Sequence, residues 1–249
     1  MESSQLESKK YTVEAVRTRI FHKGECLAEF VIDSLKSHPL QEEDLVVVTS
    51  KIVSLAENRT VPMTSTSKEA LVRQEADHYL GDIAYDCFLT VKHGMMIASA
   101  GIDESNSENG DFILFPKDPY RSAHDLCLAL KEKFQLKKLG VILTDSHTTP
   151  LRRGVTGIAL AYWGFEGLFS QVDQPDLFGR KLKFTNINKV DALSAAATMV
   201  MGEGNDSSPL ALVRGATVVF SEIPDKDKLH IPLKEDLYYP LLKNAIKEP

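Results

Sequence analysis

The amino-acid sequence predicts an α+β fold, with helices packed on mixed sheets. Three features carry that expectation. Two short apolar runs, LVVVTS at 45–50 and GVILTDS at 140–146, have the length and β-branching of buried strands. Segments with apolar residues at helical spacing occur at 27–35 and 122–134. Strands and helices follow one another irregularly, without the steady β-α-β alternation of a doubly wound sheet.

Taken in order, residues 1–10 show no apolar periodicity and are expected to form a flexible tail. No Pro/Gly/Ser-rich linker divides 11–249, which are expected to form a single domain. YTVEAVRTR at 11–19 alternates and is β-branched, as a strand should be. A helix follows at 27–35, then a buried strand within 44–55. Residues 66–79 are charged and Ala/Leu-rich, with Ser67 and Ala70 near a helix start. Residues 88–100 form a hairpin, FLTVK and MMIASA about His93-Gly94. GIDESNSENG at 101–110 is polar and aperiodic, a loop of the kind that often carries function. FILFP is a strand.

The helix at 122–134 has Ser122 as its expected N-cap and a Lys-rich end that complements its dipole. Residues 154–163 are small and apolar. DALSAAATMVM at 191–201 is a small-residue helix, with Asp191 as its expected N-cap and Gly202-Glu203-Gly204 at its end. PLALVRGATVVF at 209–220 supplies one or two strands. The stretch beyond, with Leu237-Tyr238-Tyr239-Pro240, is expected to strap the core or a partner subunit.

Composition narrows the function. Of the 249 residues 43% are hydrophobic and 26% charged, which are globular values and exclude wholesale disorder. The net charge of −6 argues against general phosphate attraction to nucleic acid, but not against a local anion pocket. No apolar run reaches the roughly 18–20 residues of a membrane span, and the polar start lacks a signal peptide's apolar centre, so a cytoplasmic location is expected. Cys26, Cys87 and Cys127 are too scattered for a disulfide framework or a zinc site. They are expected to be buried, reduced thiols.

The chemistry gathers where polar clusters adjoin apolar elements. These are Thr49-Ser50-Lys51, Asp103-Glu104-Ser105-Asn106 in its loop, Thr144-Asp145-Ser146-His147, and residues 202–208. Asp103, Asp145 and Glu203 are hard oxygen donors that would together suit Mg²⁺ or Mn²⁺, with bound phosphates completing the shell. Singly, each is more often a turn former or helix cap. Lys51 is a point charge for a phosphate or a solvated lysine. The adjacent Arg152 and Arg153 suit clamping of a carboxylate or phosphate, or a plain surface ion pair. Arg180 is a weaker candidate of the same kind. His147 is a loop histidine with no partner of a nucleophilic triad. There is neither a G-x-x-x-x-G-K-[ST] loop nor a nucleophile elbow.

The stretches DLVVVTSKIVSLAE, ASAGIDESN, GVILTDS with RRGVTGIAL, DLFGRKL, and MGEG followed by PLALVRG stand in one order over about 12–222. In that order they resemble the coenzyme F-420-0:L-glutamate ligase family, the γ-glutamyl ligases. The resemblance implies the family's α+β fold, an intertwined homodimer, GTP or ATP as co-substrate, a divalent metal, Mg²⁺ or Mn²⁺, and a monovalent cation such as K⁺. It implies amide formation between L-glutamate and an acceptor carboxylate through an acyl phosphate. It puts Asp103, Asp145 and Glu203 at the divalent-metal positions. Ser50, Lys51, Asn106, Ser146, Met201, Gly202, Gly204, Asn205, Asp206, Ser207 and Ser208 match nucleotide-binding positions. Residues 18–21 match a further nucleotide-contacting stretch only across a gap. Lys51, Arg152 and Arg153 are the candidate catalytic residues.

Two departures bear on substrate. Ser54-Leu55-Ala56-Glu57 replaces the family's S-K-A-E, so one phosphate-side lysine is missing. Thr148-Thr149-Pro150 replaces G-R-P, removing a cation near the expected acceptor site. In this the chain is similar to the folate-metabolism γ-glutamate ligase branch, so the first expectation is a pterin-linked acceptor, a folate precursor or folate. The alternative is the deazaflavin F-420-0 itself, with GTP. A nucleotide-binding regulator without catalysis is a remote third reading, which the intact carboxylate trio disfavours.

Overall fold

The two apolar runs lie side by side, as expected, at the centre of a five-stranded sheet. The computed structural model of the chain describes residues 10–107 and 109–246; the expected tail at 1–10, except Lys10, lies outside them. In chain order the first elements are β1 (Thr12–Val16), α1 (Leu27–Ser34), β2 (Asp44–Thr49), α2 (Ser50–Ala56), β3 (Thr60–Pro62) and α3 (Lys68–Glu75). Next come β4 (His78–Ile83), β5 (Cys87–Lys92), β6 (Met95–Ala98), β7 (Asp111–Ile113), α4 (Pro119–Phe134) and β8 (Leu139–Thr148). Then follow β9 (Val155–Trp163), β10 (Leu168–Ser170), β11 (Asn186–Asn188), α5 (Lys189–Met201), β12 (Leu210–Arg214) and α6 (Tyr239–Leu242).

The main sheet has the order β1-β12-β2-β8-β9. Only β2 and β8 are parallel; the other pairs in it are antiparallel. Both faces of the sheet are covered, which is why its central strands read as continuous apolar runs. Val46, Val48, Val141 and Leu143 face one core, closed by Phe30 and Val31 of α1, Ile52 and Val53 of α2, and Leu126 and Leu130 of α4. Leu45, Val47 and Ile142 face the other, closed by Val190, Leu193, Ala197 and Met201 of α5. A separate three-stranded sheet, β4-β5-β6, shares a smaller core with α3. The pairs β3-β7 and β10-β11 complete the strands.

The expected α+β class, the helix at 27–35 and the hairpin at 88–100 all appear. His93 and Gly94 both have positive φ, 52° and 72°, as a two-residue hairpin turn of this hand requires. Other expectations need correction. The N-cap of α4 is Asp118, which accepts from the Arg121 amide, because Pro119 opens the helix three residues before Ser122. Asn188, not Asp191, caps α5; the Asp191 carboxylate instead accepts from the Ala159 amide and ties the helix to β9. Helix α2 was not expected, since SKIVSL continues the apolar run of β2. Of the cysteines only Cys127 is buried; Cys26, before α1, is exposed. Among the described residues no helix is long and apolar enough to cross a membrane.

Candidate active site

The sheet topology brings four chain segments to one end. Strands β2 and β8 are parallel, so Ser50-Lys51 and Asp145-Ser146 emerge together at their C-terminal ends, the usual ligand side of a parallel pair. Strand β12 runs antiparallel to β2, so the loop 202–209 that leads into it arrives at the same end. Strand β1 is antiparallel to β12, and residues 18–23 leave it there too. Two backbone hydrogen bonds stitch these segments, Thr49 N–H to Pro209 O at 3.0 Å and Thr18 N–H to Ser207 O at 2.8 Å.

A cavity of about 610 Å³ opens between them. Lys51, Asp103, Asn106, Asp145, Ser146 and all of residues 201–208 line it. Residues 18–23 line it as well, so the segment that aligned only across a gap reaches the cavity. It adds two cations, Arg19 from within that stretch and Lys23, which no motif in the sequence had marked.

Asp103 sits on a loop held by backbone. Its amide donates to Ile113 O at 2.9 Å, and the Ile113 amide returns to Asp103 O at 2.8 Å. Just before it the chain turns through positive φ at Ser99, Ala100 and Gly101. At Gly101 a Cβ would overlap the Phe115 ring, so only glycine fits. The Asp103 carboxylate receives the Lys51 ammonium at 2.6 Å and the Ser105 amide at 2.6 Å. Burial alone would raise its pKa, but Lys51 and Ser105 outweigh that and it is lowered.

Asp145 follows a β-bulge. Leu143 pairs with Ala161 and Thr144 with Ala159, leaving Leu160 of β9 unpaired. Burial is the largest influence on its carboxyl and pushes it up to about 7, aided by the charge of Asp103; hydrogen bonds from the Ser146 amide and the Ser50 hydroxyl oppose the rise. Ser50 is buried and holds Asp145 from below rather than lining the cavity. Across the opening the Ser146 hydroxyl lies 2.7 and 2.6 Å from the two Glu203 oxygens. In the glycine loop the Gly204 amide donates to Asp206 Oδ2 at 3.2 Å, and Asn106 Nδ2 reaches Gly204 O at 3.5 Å.

The expected carboxylate trio needs a correction of detail. Asp103, Asp145 and Glu203 line one cavity, yet among the described residues no three His, Cys, Asp or Glu side chains close into a cluster that would hold an ion unaided. The reason is local: Lys51 engages Asp103 and Ser146 engages Glu203. The donor set still fits a hard divalent ion, which is commonly held by one or two carboxylates together with substrate phosphates. The charge balance points the same way. The described lining residues carry five carboxylates (Asp103, Asp111, Asp145, Glu203, Asp206) against three cations (Arg19, Lys23, Lys51).

Arg152 and Arg153 do not reach the cavity. They lie in the exposed turn between β8 and β9, whose paired strands run past the end of β2 as far as Thr148 and Val155. Thr148 and Thr149 are outside the lining too, so the cation missing there does not change the cavity. Arg180 lies in a tight turn closed by bonds to Asp176, on an exposed arm between β10 and β11. His147 packs along its strand and contacts Thr156 O through Nδ1 at 3.1 Å.

Such a cavity, with a glycine loop, a lysine and oxygen donors at the end of a parallel strand pair, suits an anionic ligand that arrives with a cation. Residues 15–215 match the family described as F420-0:Gamma-glutamyl ligase, and the chain belongs to that family. It is thus an amide-forming acid–amino-acid ligase of a nucleotide-dependent kind. A coenzyme F420:L-glutamate ligase of Methanocaldococcus jannaschii is 31% identical over 250 residues, covering 93% of this chain and 98% of that protein. Ligases of the same name from Methanococcus maripaludis strain S2 and Methanopyrus kandleri are 32% and 33% identical over 221 and 210 residues, covering 82% and 77% of this chain and 88% and 81% of theirs. These names favour the deazaflavin alternative over the folate-linked acceptor.

Proposed function

We propose that the chain joins L-glutamate to a carboxylate of a deazaflavin acceptor of the F420-0 kind, using a nucleoside triphosphate bound in the cavity. The observation that carries this is the cavity's excess of carboxylates over cations beside a glycine loop. A polyphosphate cannot enter an acidic cavity alone; it must bring cations. A divalent ion held by Asp103, Asp145 and Glu203 would neutralise charge on the phosphates during transfer.

The reaction needs two displacements. A carboxylate does not condense with an amine in water, because its oxygen is a poor leaving group. An acceptor carboxylate oxygen attacks the γ-phosphorus, the bond to the bridging oxygen breaks, and the nucleoside diphosphate leaves. The glutamate amine nitrogen then attacks the acyl carbon and expels phosphate, and the amine proton passes to phosphate or a nearby base. Lys51 turns its ammonium to the phosphate chain as a point charge. The backbone of 202–208 wraps the phosphates, since Gly202 and Gly204 present no side chain to them. Ser50 fixes the Asp145 carboxyl, and residues 18–23 close the opposite wall.

Glutamate-dependent phosphate release is the test, with Mg²⁺ or Mn²⁺, ATP or GTP, and F420-0 or dihydropteroate as acceptor. A glutamylated deazaflavin by mass spectrometry is expected. A glutamylated pterin instead would reinstate the folate-linked acceptor. We also propose a homodimer. The arm between β10 and β11 exposes Leu177, Phe178 and Phe184 almost fully, a group of large apolar side chains that a second copy of the chain could cover. Light scattering after gel filtration should give twice the chain mass.

A further inference from the structure

Both oxygens of Asp103 are already engaged by the protein's own donors. Lys51 Nζ lies 2.6 Å from Oδ2, and the Ser105 amide lies 2.6 Å from Oδ1. The ammonium also donates to Ser105 Oγ at 3.1 Å, so three groups close into a ring around one carboxylate. Of these groups, only the lysine can leave. Asp103 is bonded in both directions to Ile113 through its backbone, and the Ser105 amide belongs to the same loop. Lys51 stands at the start of α2 with a flexible four-carbon stem, and its side chain lines the cavity.

We infer that Lys51 is an internal counter-ion for Asp103, which swings to the phosphate chain when nucleotide arrives and so makes the divalent cation enter with the nucleotide rather than ahead of it. The inference rests on the proposed reading that nucleotide and metal share this cavity. A metal ion approaching alone meets an ammonium on the carboxylate it needs, and like charges within about 4 Å repel strongly in a partly buried site. A polyphosphate changes the balance, because it offers the lysine a denser negative charge. Glu203 is also engaged, by the Ser146 hydroxyl, but that donor is neutral and yields without charge repulsion. Lys51 is therefore the side chain that sets the order.

The test is Mn²⁺ binding to the full chain, read from the electron paramagnetic resonance of free Mn²⁺ and not from activity. Without nucleotide, Lys51→Met should bind Mn²⁺ at least about tenfold more tightly than the wild type, about 1.4 kcal/mol. Lys51→Arg keeps the charge and should stay within about threefold of the wild type. In the wild type itself, a non-hydrolysable triphosphate analogue should raise Mn²⁺ affinity by at least about tenfold. If Lys51→Met, with unchanged circular dichroism, binds Mn²⁺ alone no better than the wild type, the counter-ion role is wrong. Equal wild-type affinity with and without the analogue overturns it as well, without needing any variant to fold. Failure of wild type and variant alike to bind Mn²⁺ even with the analogue would instead overturn the metal–nucleotide reading beneath it.

Discussion

Replacing Gly202 by alanine should weaken nucleotide binding far more than its size suggests. Gly202 ends α5 with φ 81° and ψ 172°, a backbone region essentially reserved for glycine. Holding an alanine there costs about 1–3 kcal/mol. The new Cβ would also overlap the Asp206 carboxylate, with Asp206 Cγ only 2.5 Å away. That carboxylate can rotate aside, but it then gives up the bond it accepts from the Gly204 amide, worth about another 1 kcal/mol. The loop is exposed, so it can relax locally instead of unfolding the chain. The strain then appears in ligand affinity, because the nucleotide must restore the loop: a Kd higher by about tenfold to a hundredfold. Isothermal titration with a triphosphate analogue and Mg²⁺ measures it. Gly204→Ala separates the two causes, since its Cβ would meet no protein atom nearer than Asp206 Oδ2 at 3.7 Å and its φ is ordinary, so any loss of affinity there reports contact with the phosphates and not backbone strain. A Gly202→Ala protein with a Kd within about twofold of the wild type would refute the argument that this backbone holds the phosphates.

Asp145→Asn should abolish turnover yet stabilise the ligand-free chain above neutral pH. Its folded pKa of about 7 lies above the ordinary carboxylate value, so the folded state holds the extra proton between about pH 4 and 7. Stability from this group is present at low pH and is lost as pH rises through 7. Urea unfolding should find the variant roughly 1–4 kcal/mol more stable at pH 8 and little changed at pH 4; a variant less stable at pH 8 sinks the claim. Arg214→Met should cost about 3 kcal/mol in the same assay, because Asp44, 1% exposed, loses both bonds from the guanidinium, at 2.9 and 2.8 Å. Arg152→Ala and Arg153→Ala should change stability by less than about 0.5 kcal/mol and leave analogue binding unaltered; a large rise in Kd would bring the hairpin turn back into the nucleotide site.

What could be read in the sequence followed from packing, and what could not followed from topology. The runs at 45–50 and 140–146 announced themselves because a strand covered on both faces has no polar alternation to hide it. Helix α2 was hidden for the same reason: SKIVSL continues the apolar run, and its N-cap Thr49 makes no side-chain capping bond that would mark a start. Strand β4 escaped because Gly81 and a register shift interrupt its pattern. Asp103, Asp145 and Glu203 could be named from their setting beside apolar elements. Their distribution over one cavity, with Lys51 on the first and Ser146 on the last, depends on side-chain contacts between distant segments. Arg152 and Arg153 could not be placed relative to the cavity, because nothing local reports that β8 and β9 carry them past the end of β2. Arg19 was reached only through a gapped match and Lys23 was missed, because the path of the chain after β1 is set by its partner β12, almost two hundred residues later in sequence.

The antiparallel insertion of β12 between β1 and β2 is what makes the site possible. A purely parallel pair offers two strand ends and the loops behind them. Placing β12 beside β2 adds the loop entering a strand to the loops leaving two others. That entering loop is the one with Gly202 and Gly204, and it follows a helix whose small residues let it lie close to β9, where Gly157 has no room for a Cβ against Ser194 and Thr198. Cations come from the exits of β1 and β2, and carboxylates from β8, the Asp103 loop and the glycine loop. No single segment holds both signs in quantity. An empty cavity of this kind must pair its own charges, as Lys51 does with Asp103. Under the proposed reading the filled one exchanges those pairs for phosphate and metal. Ion pairs that merely stabilise a surface contribute little. This one joins two segments far apart in the sequence at the cavity wall, and under the proposed reading both its partners are wanted by ligands.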